Sequence, residues 1–134
     1  MILYHGTSDK RLRRILKMDM LETQEFHSSI CFSTRYKPAH YWSNLSALDD
    51  ESVPVILKLN AIKLLEEGYD LFPYSDPVYG EGICDWEYEV RVIDDIHPLS
   101  MFLISHGIVP LVDINQLRPA ALSNMFSDAA SQIE

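Results

Sequence analysis

Three short stretches carry the residues that could do chemistry. The first is Tyr4-His5-Gly6-Thr7-Ser8, where a strand-end imidazole, a side-chain-free backbone and two hydroxyls sit side by side. A glycine lets a flat ligand approach the main chain, and His5 with Thr7 can hold sugar hydroxyls. The second is Phe32-Ser33-Thr34-Arg35 followed by Ala39-His40-Tyr41-Trp42. There an aromatic ring can stack on a heteroaromatic ligand, and Arg35 can meet a pyrophosphate. Of the two rings, Trp42 reads as core and Tyr41 as the stacking candidate. The third is Asp85-Trp86-Glu87-Tyr88-Glu89-Val90-Arg91-Val92. On a strand, Glu87, Glu89 and Arg91 share one face, with Tyr88, Val90 and Val92 on the other. Two neighbouring carboxylates repel, a cost more readily kept at a site than by accident. Each stretch also has a plain structural explanation: a packed histidine, core rings, or an edge strand compensated by Arg91.

The elements that position these residues read as a mixture of short strands and short helices without βαβ rhythm, which predicts an α+β domain. A strand over 2–5 leads to Ser8, an N-cap for an amphipathic helix over 11–17 built on Leu12, Ile15 and Leu16. A strand over 30–33 precedes a helix from Thr34 to about Leu45, with Pro38 tolerated in its first turn. A strand over 53–59 ends at Asn60, which caps a helix over 61–67 that Gly68 stops. Residues 69–82 form a long loop with a short strand around 70–72. The best alternation runs over 86–93. Strands over 101–104 and 108–112 and a helix over 119–130 complete the expectation.

Length and composition limit the rest. At 134 residues, the chain is one domain, 1–134. Its net charge of −9 argues against a long nucleic acid as partner. The basic residues gather at Lys10, Arg11, Arg13, Arg14 and Lys17, which is either a solvated helix face or a place for a small phosphorylated ligand. Cys31 and Cys84 make neither a disulfide framework nor, with the five histidines, a metal site. With no apolar run of membrane-spanning length and no leader-like start, the expected location is the cytoplasm.

In order and spacing, the three stretches over residues 4–92 resemble the ADP-ribosyltransferase superfamily. The His-Gly-Thr start is similar to its histidine class, the diphtheria-toxin-like enzymes and poly(ADP-ribose) polymerases. Glu-Tyr-Glu-Val is similar to the Glu-x-Glu-Val of its arginine-class toxins. One departure stands out: of the two tyrosines that sandwich nicotinamide in that family, Tyr41 matches the second, whereas Cys31 falls at or near the first, with Tyr36 as a substitute.

The resemblance implies two small packed β-sheets forming a cleft, flanked by short helices. It implies NAD as substrate and cofactor, no metal, and transfer of a single ADP-ribose, with a protein as the expected acceptor. His5 would bind the adenine-side ribose, the Gly6 backbone the nicotinamide amide, and Tyr41 the ring. Thr7 and Ser33 would line the pocket, with Arg35 at the pyrophosphate. Glu89 would take the catalytic role and Glu87 would orient or deprotonate the acceptor, with Tyr74 and Tyr79 as acceptor contacts. By analogy, a phage or bacterial effector, or a toxin, suits the size. Residues 3–8, 53–57 and 67–69 also resemble the RNA 2′-phosphotransferases, which share fold and NAD, but their several arginines have no counterparts here. NAD glycohydrolysis, 2′-phosphate transfer, an inactive copy that only binds in the cleft, and an acidic nucleic-acid mimic are the alternatives.

Overall fold

The computed structural model describes residues 1–25, 28–73 and 89–114. In chain order its elements are β1 (Ile2–Ser8), α1 (Asp9–Met18), β2 (Ile30–Ser33), α2 (Tyr36–Asp50), β3 (Pro54–Asn60), α3 (Ala61–Glu66), β4 (Phe72–Pro73), β5 (Glu89–Val92) and β6 (Leu103–Ile108), with a 3-10 turn over Leu99–Met101. The fold is α+β. Among the described residues, no helix is long and apolar enough to cross a membrane.

The strands form one antiparallel sheet in the order β4-β5-β2-β1-β3-β6. This departs from the expected pair of sheets, but the sheet has a seam. β1 pairs with β3 along its whole length, from Ile2–Asn60 to Ser8–Pro54. β2 pairs with β5 from Ile30–Val92 to Ser33–Glu89. Between β1 and β2, the registered partners among the described residues are Tyr4 and Ser33 alone. Two three-stranded halves therefore meet at one point, a seam within a single sheet in place of the expected two-sheet cleft.

The two faces differ in chemistry. Leu3, Phe32, Ile30, Leu57, Leu59, Val90 and Val92 face a hydrophobic core closed by Leu12 of α1, Leu64 of α3, Leu21, Ile96, Leu99 and Phe102. α1 begins where Ser8 accepts from the Arg11 amide, carries Asp9 in its first turn, and ends at Asp19 in a left-handed conformation. Asp50 is held beside that cap: the Ser8 hydroxyl donates to it and Arg11 Nε lies 2.8 Å from its carboxylate. Burial alone would raise the Asp50 carboxyl; the Ser8 and Arg11 hydrogen bonds and the charges of Arg11 and Lys10 outweigh it and hold the carboxyl below its ordinary value. α3 starts at Asn60, whose side chain accepts from the Lys63 amide, and is followed by Gly68 at φ 93°.

α2 packs on the opposite face. Ala39, Ser43 and Ala47, spaced four apart, are buried along one side of it. The helix comes so close to β1 that a Cβ on Gly6 would stand 2.3 Å from the Ala39 carbonyl oxygen and 2.7 Å from the Ser43 nitrogen. This fixes the helix phase and inverts the expected roles of two rings: Tyr41 is 5% exposed and buried, whereas Trp42 is 43% exposed. Thr34 is not the cap of α2; that position is Arg35, whose side chain makes no capping hydrogen bond. The helix also runs to Asp50, past the expected end near Leu45. The C-terminal strands expected over 101–104 and 108–112 are one strand, β6. The strand expected over 86–93 is described as β5, Glu89–Val92; the expected helix over 119–130 lies outside the described residues.

Candidate active site

The sheet register sets Lys58, Tyr4, Ser33 and Glu89 in one row across four neighbouring strands. Directly paired residues of an antiparallel ladder put their side chains on the same face. The row therefore lies on the α2 side of the sheet, with Cys31 and Arg91, a registered pair themselves, in the row beside it. α2 covers the Gly6–Ile56 part of this face, where Ile56 is buried. Toward the other end, Ile2, Phe72 and Tyr36 are exposed. The Tyr36 ring, on the first turn of α2, meets the Tyr4 ring edge-on with centroids 6.2 Å apart.

Among the described residues, Glu89 is the acid of this face. Its side chain is 15% exposed, and Arg91 Nε lies 3.5 Å from its carboxylate. The Cys31 thiol also hydrogen-bonds to it. Burial first, then the Glu89 charge, pushes the Cys31 thiol up to about 11, so it stays protonated and donates. A carboxylate held between a guanidinium and a thiol, beside the Ser33 hydroxyl, can accept a further hydrogen bond and stabilise a developing positive charge. Sequence reasoning placed Ser33 and Glu89 in one site, and the register pairs them. It missed Cys31 as a Glu89 partner, although the i/j±2 relation across an antiparallel pair gives it once the register is known.

His5 is elsewhere. It alternates with Tyr4 and Gly6, on the core side, 5.5 Å from the Phe32 ring centroid. Its Nδ1 donates to the Cys31 carbonyl at 2.8 Å, crossing the seam where backbone pairing stops. A carbonyl only accepts, so the proton is on Nδ1 and neutral His5 presents Nε2 as an acceptor. Burial is the main reason its pKa lies below the ordinary histidine value; the carbonyl bond works against that shift and Arg11 adds to it.

The remaining candidates divide. Gly6 is occupied by α2, giving it a packing reason to be glycine. Thr7 is buried and paired with Val55. Arg35 is exposed at the start of α2, with its amide donating to Ser33 Oγ at 3.1 Å. Tyr41 is buried against Trp42, with ring centroids 5.0 Å apart. Glu87, Tyr74 and Tyr79 lie outside the described residues. No group of three or more His, Cys, Asp or Glu that could hold a metal ion occurs among the described residues.

One tether was not foreseen. His40 Nε2 and Asn44 Nδ2 both donate to the Pro110 carbonyl, and the Val112 amide donates to Asn44 Oδ1. The segment after β6 is thereby tied along α2. No protein-family model matches this chain, and no curated protein sequence matches it.

Proposed function

We propose that this protein binds NAD against the Glu89 face of the sheet and transfers its ADP-ribose, as a mono-ADP-ribosyltransferase acting on a protein. The observation that carries the reading is the Glu89–Ser33 pair: a half-buried, ion-paired carboxylate beside a hydroxyl, on the β2–β5 pair that borders the seam. The resemblance in order and spacing adds to it. In this reading Glu89 accepts a hydrogen bond from the 2′-hydroxyl of the nicotinamide ribose. As the C1′–N bond breaks, nicotinamide leaves with the bonding electrons, and the carboxylate stabilises the positive charge that develops on the ribose. An acceptor nucleophile then forms a bond to C1′ and gives up its proton. Ser33 orients the same sugar. Tyr36, exposed beside Tyr4, takes the stacking role that a buried Tyr41 leaves open.

The test incubates the protein and a Glu89→Gln variant with labelled NAD and a bacterial lysate, following nicotinamide release and protein label together. Label on a protein band that the variant loses is the expected result, with a rate fall of about 100-fold or more for removing one charge-stabilising group. Nicotinamide release without label replaces transfer by glycohydrolysis. No release and no label overturns the enzymatic reading.

A further inference from the structure

Lys58 breaks the pattern of its strand. Val55, Ile56, Leu57 and Leu59 are buried, and Lys58 stands among them, half-buried, on the face opposite the main hydrophobic core. A half-buried lysine packs its aliphatic stem against its neighbours and keeps its ammonium toward water, where a ligand can reach it. Of the described arginines, four, Arg11, Arg13, Arg14 and Arg91, each have a carboxylate within ion-pair distance. Among the described residues Lys58 has none. Its ammonium lies 6.0 Å from the Tyr4 ring centroid, at the outer limit of a cation–π contact. The β3–β6 ladder shifts register between Lys58 and Leu59, a local irregularity of the kind that re-aims a side chain.

The row through Tyr4 and Ser33 sets Lys58 three strand spacings from Glu89, about 14 Å. An ammonium beside the half-buried Tyr4 ring at one end, and a carboxylate at the other, matches an elongated ligand with an anionic part and a neutral or cationic part. We propose that Lys58, beside the Tyr4 ring, forms a subsite for the diphosphate of a nucleotide that lies along this row. The ammonium contacts the phosphates. This rests on the reading of Glu89 as the NAD-cleaving carboxylate, and it moves the phosphate contact from Arg35 to Lys58.

The test measures binding of ADP, inorganic pyrophosphate and nicotinamide riboside to the wild type, Lys58→Gln and Lys58→Arg by calorimetry, with NAD turnover in parallel. Losing a charge-assisted contact is expected to weaken ADP and pyrophosphate about tenfold or more in Lys58→Gln, with Lys58→Arg retaining most of the affinity. Nicotinamide riboside, lacking a phosphate, should bind all three alike. The wild-type ADP affinity should fall as salt rises, more steeply than that of Lys58→Gln. Equal ADP affinity in the wild type and Lys58→Gln, or no ADP binding by the wild type, overturns the subsite. If NAD turnover depends on Glu89 while Lys58→Gln leaves its KM unchanged, the subsite fails and the transferase reading stands. If ADP binding depends on Lys58 but NAD is never cleaved, the subsite stands and the transferase reading fails.

Discussion

The Nδ1 of His5 reaches the Cys31 carbonyl at 2.8 Å and so bridges the seam that, among the described residues, the Tyr4–Ser33 pair alone closes in backbone register. A side chain thus takes over where two strands part. The bond needs Nδ1 to carry a proton, and burial favours the neutral ring. Because the folded pKa is lowered, the unfolded chain binds more protons than the folded chain at pH values between the two. Stability therefore rises with pH through that window, is complete above the ordinary histidine value, and is lost as pH falls toward the folded one. Melting temperature should drop between about pH 7.5 and about pH 5.5, and a His5→Gln variant should show a shallower slope. Identical slopes in the two proteins would remove His5 from the acid response.

Gly6 can be tested as a packing residue. A methyl group there meets the Ala39 carbonyl oxygen and the Ser43 nitrogen, both backbone atoms that cannot rotate away. Gly6→Ala must push α2 off the sheet, costing about 1–3 kcal/mol by the usual scale of overpacking. Urea denaturation reads this directly. A variant as stable as the wild type would mean that α2 rides more loosely on β1 than the structure shows.

Local chemistry was legible wherever the deciding interaction is short in sequence. Ser8 and Asn60 both cap the helices they were expected to cap, because an N-cap bond reaches only three residues ahead. The alternation at Glu89, Val90, Arg91 and Val92 correctly sorted core from face. What escaped depends on partners distant in the chain. The seam between β1 and β2 follows from which strands meet and where they part, and no local pattern encodes that. Cys31 acquires its meaning from β5, and Lys58 from a row that spans four strands. For the same reason, β6 emerged as one strand where the local pattern suggested two.

The helix phase of α2 is the clearest reversal, and it yields a pair of opposed expectations. Tyr41 and Trp42 are adjacent, yet the Ala39-Ser43-Ala47 ridge buries the first and exposes the second. Tyr41→Ala should cost about 2–4 kcal/mol, near the range for large buried side chains. Trp42→Ala should stay within about 0.5 kcal/mol, as for most surface substitutions. Chemical denaturation of both variants decides it; similar losses would mean that the helix is rotated from the phase described.

The Cys31–Glu89 contact can be followed without any substrate. Burial is the larger cause of the raised thiol pKa, and the neighbouring carboxylate is the next, through its charge and as a hydrogen-bond acceptor. In a Cys84→Ser background Cys31 is the sole thiol, so its reaction with a thiol reagent reports its thiolate fraction. The rate should stay low through neutral pH and climb only toward the thiol value of about 11. Adding Glu89→Gln removes the negative charge while keeping the side-chain size, so thiolate formation becomes easier and the rate profile should shift to lower pH. Adding Arg91→Gln should do the reverse, because the Arg91 charge opposes the rise. Burial is largely unchanged in both, which separates charge from access. If the two substitutions move the profile in the same direction, access rather than electrostatics governs Cys31, and the thiol is not a partner of the carboxylate.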